Sequence, residues 1–157
     1  MQMTTTADCY SCAQESKAGK LPPREDIAAD DHWRVAHAFG CALEGWLVLL
    51  PRRHVTSISE LNDAEAQSLG VWQVRLSQAL HQVLGCQKTY IAQFAEAAGF
   101  SHVHFHVVPR SPDLPEDLRG PRIFQMMRSD RPPVTEQRMD EIARDLRDKL
   151  AEHTGSE

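Results

Sequence analysis

Residues 101–110 read Ser-His-Val-His-Phe-His-Val-Val-Pro-Arg, so His102, His104 and His106 alternate with Val103, Phe105 and Val107. A strand has a period of two and advances about 7 Å every second residue. On a strand, the three imidazoles therefore share one face and the three apolar side chains share the other. A solvated, histidine-rich surface is the plain alternative, but three of only eight histidines stand here in register. A row of imidazoles suits metal binding, proton transfer, or nucleophilic attack and phosphate recognition. A mononuclear metal hydrolase would want an aspartate just after the second histidine, where Phe105 and Val107 stand. A cupin-type metal site would want a glutamate a few residues on, and residues 107–113 offer none at that offset. An imidazole that attacks phosphorus, beside a second one that hydrogen-bonds phosphate oxygens, needs only the histidines the strand supplies.

Cys9 and Cys12 form a second group, a Cys-x-x-Cys pair near the N-terminus. Such a pair fits a redox couple, half of a metal site, or chance. Thioredoxin-like use wants an adjoining βαβ pattern, which the chain lacks. A zinc site needs four N or S ligands, so two more must come from elsewhere. Cys41 and Cys86 have no partner at metal spacing and read as small buried hydrophobes.

The elements that must position these groups are legible in outline. Residues 32–39 show mixed alternation, and 45–54 form an apolar run opened by Gly45 and closed by Pro51; both are expected as strands. A long helix follows, with Asn62 as cap, Glu65 three residues on, Leu69, Trp72, Leu76, Leu80 and Val83 on one face, and Gly85 as stop. Residues 88–95 and 102–108 return to strand chemistry. Six of the nine prolines fall between 109 and 133, which predicts an extended loop. A last helix is expected from Thr135 to His153, with Met139, Ile142, Leu146 and Leu150 buried. This order, without βαβ alternation, predicts an α+β fold with an antiparallel sheet. The 157 residues are expected to form one domain, with residues 1–8 disordered.

Composition narrows the function. A net charge of −5 gives no reason to expect a nucleic-acid partner or an anionic membrane surface. No apolar run reaches membrane-spanning length, and the N-terminus lacks the basic and apolar regions of a signal peptide. A cytoplasmic location is expected, with cysteines free or metal-bound.

The stretch His-Val-His-Phe-His-Val-Val fixes seven positions of the pattern His-φ-His-φ-His-φ-φ and resembles the histidine triad (HIT) superfamily of nucleotide hydrolases and transferases. Residues 45–54, Gly-Trp-Leu-Val-Leu-Leu-Pro-Arg-Arg-His, are similar to that family's Gly-His-x-Leu-Val-Ile-Pro-Lys-x-His strand. The resemblance covers about residues 8–110. It implies a five-stranded antiparallel sheet with two main helices, paired as a homodimer. Apolar strands such as Trp46–Leu50 and Thr89–Phe94, which need cover, agree with pairing. It implies His104 as a nucleophile toward the α-phosphorus of a nucleotide, and His106 as the group that holds the phosphate. Ser101 and Arg110 are candidate substrate contacts, and Arg52 and Arg53 are further cations near strand ends. In many bacterial members a Cys-x-x-Cys is completed by two histidines. Here those are His54 and His102, so the resemblance implies structural zinc on Cys9, Cys12, His54 and His102.

Three departures from the family pattern fall on substrate-side positions. Trp46 stands where the family has histidine, Ala38 with His37 beside it stands where many members carry an aspartate, and a Gly-Gln-Ser/Thr segment is reduced to residues 97–102 without its glutamine. With His104 and His106 intact, the resemblance implies a phosphohydrolase or nucleotidyl transferase acting on a dinucleoside polyphosphate, a phosphoramidate or an adenylyl ester. The alternative is a nucleotide-binding or zinc-stabilised interaction protein with little turnover.

Overall fold

The chain folds around one antiparallel sheet, seen here in a computed structural model that describes residues 6–127 and 130–154. The strands are β1 (Ala28–Ala29), β2 (Trp33–His37), β3 (Leu47–Pro51), β4 (Lys88–Ala92) and β5 (Phe105–Arg110). Their order across the sheet is β1-β2-β3-β5-β4. The helices are α1 (Tyr10–Glu15), α2 (Asp63–Leu84) and α3 (Glu136–Thr154).

The ends of α2 follow from its sequence. Asn62 Oδ1 accepts from the Glu65 amide at 2.8 Å, and Glu65 Oε1 accepts from the Asn62 amide at 2.9 Å. This reciprocal pair satisfies two amides that the helix cannot. Gly85 closes the helix in the left-handed region at φ 66°, where a side chain would be strained. Gly45 is needed for a different reason. Its φ is +81°, and a Cβ there would lie 2.2 Å from Leu84 Cδ1, so the entry to β3 passes tightly beneath the end of α2.

Alternation along the strands sorts the side chains between two faces. Trp33, Val35, Leu47, Leu49, Phe105 and Val107 pack with Leu76, Ala79 and Leu80 of α2 and with Ile142, Ala143 and Leu146 of α3. Burying one such aliphatic side chain stabilises the fold by about 1.5–3 kcal/mol, so this face anchors the structure. Met139, Ile142, Leu146 and Leu150 are all buried, as the spacing predicts. The opposite face carries Trp46 and Val108, covered by Leu114, Leu118 and Ile123 from the segment after β5.

Several boundaries differ from the sequence expectations. The histidine strand begins at Phe105 and runs to Arg110, not 102–108. Upstream of Phe105 the chain leaves β3: the Val103 amide donates to the Val55 carbonyl at 2.8 Å, and the His102 ring bonds the Pro51 carbonyl. The alternation still holds, because Val103 is buried with Phe105 and Val107. The expected loop 109–133 starts with the end of β5 and contains 3-10 helices at Glu116–Leu118 and Gly120–Met126, held by its buried apolar residues. Residues 1–5 of the expected disordered N-terminus lie outside the described residues, and Thr6–Asp8 form a 3-10 turn. Among the described residues, no helix is long and apolar enough to cross a membrane.

Candidate active site and metal centre

The N-terminal segment is tied to the sheet by two sets of contacts. Glu15, at the end of α1, accepts from Arg34 Nε at 3.1 Å and from Arg52 Nε at 2.7 Å. At the other end of α1 stand the two cysteines. Cys9 Sγ lies 3.5 Å from His102 Nδ1, and Cys12 Sγ lies 3.2 Å from His54 Nδ1 and 3.7 Å from His102 Nδ1. The four donor atoms of Cys9, Cys12, His54 and His102 all fall within 4.8 Å of one another. Bonds of about 2.3 Å to sulfur and 2.0–2.1 Å to nitrogen put the S···N edge of a tetrahedral zinc shell at roughly 3.5 Å. The observed distances bracket that edge, so the cluster could hold a metal ion.

The protonation pattern fits the same use. His102 Nε2–H donates to the Pro51 carbonyl at 2.7 Å, which leaves Nδ1 free as a ligand. Burial lowers the pKa of His102, which favours the neutral ring. Burial, followed by the neighbouring Cys9, pushes the Cys12 thiol up to about 11. A cation would reverse that, because metal ligation requires the thiolate.

Next to this corner lies a cavity of about 290 Å³ on the sheet face away from α2 and α3. His104 and His106 line it, together with Val48, Leu50 and several aromatic rings. Tyr10, Phe39 and Phe100 form one ring cluster, with centroids 5.0–5.8 Å apart. Phe124 forms a second one, 5.4 Å from Phe94 and 5.1 Å from His106. Tyr10 sits between the two cysteines in sequence, so the metal corner also sets a cavity wall. Its hydroxyl donates to Glu25 Oε1 at 2.9 Å. Burial and that carboxylate push the phenol up to about 12.

The two cavity imidazoles are held differently. His104 Nδ1–H donates to the His102 carbonyl at 2.8 Å, so its Nε2 keeps the lone pair. His106 Nδ1 accepts from Trp46 Nε1 at 3.0 Å, so its proton resides on Nε2. The rings stand 4.9 Å apart. Burial first, and then the neighbouring His104, lower the His106 pKa to about 4.

The HIT domain model matches residues 23–113, more than half of the chain. The chain belongs to the HIT domain family. No curated relative matches the sequence. Solved structures carry the same fold at low identity. A Zn-bound histidine triad family protein from Mycobacterium smegmatis is 20% identical with a TM-score of 0.70, and the match covers 98% of this chain and 100% of that one. A Hit-like protein involved in cell-cycle regulation from Bartonella henselae, with an unknown ligand, is 13% identical with a TM-score of 0.71, covering 94% and 99%. A hypothetical histidine triad nucleotide-binding protein from Sulfolobus tokodaii is 13% identical with a TM-score of 0.62, covering 80% and 83%.

This HIT domain brings together the four cluster residues and the two cavity histidines. It does not bring Ser101 or Arg110 to the cavity wall. Arg110 pairs across from Lys88, while His106 pairs across from Ala92 at the opposite end of that ladder, and the Arg110 guanidinium bonds Gln87. Arg53 is engaged by Glu65, as Arg52 is by Glu15. His37 is buried and bonded through both nitrogens, to the Ala38 carbonyl and the Gly45 amide, so it shapes the floor of the sheet. The residues that sequence reasoning missed are Tyr10, Phe39, Phe100 and Phe124. They come from separate segments and share no sequence spacing.

Proposed function

We propose that this HIT protein is a nucleotide phosphohydrolase or nucleotidyl transferase acting at the α-phosphate of a nucleoside 5′-phosphate derivative, with His104 as nucleophile. One observation carries the reading: the His104 Nδ1–H bond to the His102 carbonyl at 2.8 Å, which leaves a lone pair on Nε2 in a cavity wall. A neutral imidazole so held attacks phosphorus and expels the leaving group, giving a nucleotidyl-histidine. Water then cleaves the intermediate. His106, with its proton on Nε2, donates to a phosphate oxygen as charge builds there. The aromatic and aliphatic lining suits a planar base. The nucleotide-binding description of the Sulfolobus relative supports this substrate class.

Zinc is the ion that two thiolates and two imidazoles at these distances suit, and the Zn-bound mycobacterial relative supports the choice. With all four positions taken by protein, it would serve structure and leave no site to activate water. A homodimer is the expected assembly, because Ile91 on the edge strand β4, Phe94 just after it, and Val71 and Val74 of α2 are exposed. Four free cysteines agree with a cytoplasmic location.

A second reading, a nucleotide binder with little turnover, draws on the cavity's cations. Among the described residues, Arg34 is the one Lys or Arg in the cavity lining, and it is committed to Glu15 and to the Glu25 and Ser11 carbonyls. Turnover assays on a panel of dinucleoside polyphosphates, phosphoramidates and adenylyl esters, with His104→Ala as control, separate the readings. Hydrolysis lost in the variant supports the enzyme. Nucleotide binding without turnover in the native protein supports the binder.

A further inference from the structure

We propose that the site selects substrates whose leaving group departs as a stable anion, such as the phosphate of a phosphoanhydride or an acyl carboxylate, over phosphoramidates whose amine must be protonated, because Trp46 locks His106 as a neutral Nε2–H donor. The inference rests on the hydrolase reading above and names its substrate class.

An indole offers one N–H and no acceptor. Trp46 is fully buried, His106 is nearly so, and the two rings stand edge to face, 5.7 Å apart at 90°. With the indole N–H 3.0 Å away, a proton on the buried His106 Nδ1 would face another proton. His106 therefore carries a single proton, on Nε2. Such a group can hydrogen-bond a phosphate oxygen, but handing its proton over would leave a buried imidazolate. Burial, which lowers the imidazole pKa to about 4, acts in the same direction.

Among the described residues, the other titratable side chains of the cavity lining are committed elsewhere or stand at its rim. The Tyr10 hydroxyl donates to Glu25, and Arg34 is pinned by Glu15. His37 spends its proton on the Ala38 carbonyl. Glu96 is an exposed carboxylate at the rim. His104 holds its own proton against the His102 carbonyl. None of these is a proton donor aimed at a leaving group.

The chemistry separates the two substrate types. His104 Nε2 forms a bond to phosphorus, and with an anhydride the breaking P–O bond sends its electron pair out with the departing oxyanion, so no proton is needed. The phosphorylated ring is cationic, and the His102 carbonyl at Nδ1–H stabilises it. Water then bonds to phosphorus, the P–N bond returns its pair to Nε2, and the excess proton goes to bulk solvent. With a phosphoramidate, the breaking P–N bond would place the pair on an amine nitrogen that requires a proton at that moment.

The test compares kcat/KM of the zinc-loaded full chain for a diadenosine polyphosphate and for adenosine 5′-phosphoramidate, together with ¹⁵N NMR of the His106 ring. Expected are a preference of about 100-fold or more for the anhydride, and one Nε2–H tautomer of His106 from pH 5 to 8. Trp46→His, which installs a titratable ring, should narrow the preference at least about tenfold. Trp46→Phe, which removes the indole N–H, should give mixed His106 tautomers. Native cleavage of both substrates within about tenfold, or an Nδ1 proton on His106, overturns the proposal. Turnover of neither substrate, with the Nε2–H tautomer present, overturns the hydrolase reading itself and the selectivity with it.

Discussion

The corner where His102 meets the two cysteines and the cavity that holds His104 and His106 are built from the same short run of chain, yet they free opposite nitrogens. His102 spends its Nε2–H on the Pro51 carbonyl and turns Nδ1 toward sulfur. His104 spends its Nδ1–H on the His102 carbonyl and keeps a lone pair on Nε2. His106 receives the Trp46 indole at Nδ1 and keeps a proton on Nε2. On the proposed reading, three like side chains serve as a ligand, a nucleophile and a hydrogen-bond donor, and backbone carbonyls and one indole make the difference. The corner then governs stability and the cavity governs rate. They meet at the carbonyl of His102 and at Tyr10 and Ser11, which stand between the cysteines and line the cavity.

The sharpest way to break this division is at the nucleophile. His104→Ala should lower turnover about 1000-fold or more while leaving metal content and Tm unchanged. Paired turnover and melting measurements check it, and a parallel loss of stability would merge the two regions.

The corner should behave in the reverse way. Cys9→Ser or Cys12→Ser should remove the metal and about 3 kcal/mol of stability, roughly 10 °C in Tm. Metal analysis alongside thermal unfolding tests this. Turnover should fall only as far as α1 and Tyr10 loosen from the cavity wall.

His106 links the cavity to pH. Its folded imidazole sits at about 4, against 6.5 for an ordinary histidine. The unfolded chain therefore takes up this proton first as pH falls. Stability from the neutral ring is fully present above about pH 6.5 and is lost between there and pH 4, on the order of 2–3 kcal/mol. Denaturant titrations across that window should show a shallower pH dependence for His106→Gln than for the native chain.

Asn62→Ala supplies the smallest effect and a calibration. Its side chain caps α2 and is not among the cavity or cluster residues. A loss of about 1 kcal/mol is expected, with kcat and metal content unchanged.

What the sequence discloses here follows periodicity and local bonding. The histidine alternation, the Asn62–Glu65 capping box, the Gly85 stop and the apolar stripe of α3 are each set within a few neighbouring residues, so they are readable directly. The four-ligand corner was legible only through family resemblance, since Cys12 and His54 are far apart along the chain. Arg110 shows how closeness in sequence differs from closeness in space. Arg110 is four residues past His106 on an extended strand, roughly 13 Å along it, and it bonds Gln87 instead. The helix α1 and the strand β1 span six and two residues. Tertiary contacts hold α1, such as those of Glu15 with Arg34 and Arg52, and pairing with β2 holds β1. Trp46 is plain in the sequence as a departure from the family pattern, but only its indole N–H on His106 gives it a role.

The most direct measurement is to trap the covalent intermediate. The full chain is mixed with a nucleotide substrate, quenched in base, where a phosphoramidate survives, and digested for mass spectrometry. A nucleotidyl adduct on His104 is expected, lost on acid treatment and absent from His104→Ala. Native turnover that proceeds with the adduct on another residue, or at an undiminished rate in His104→Ala, would contradict it.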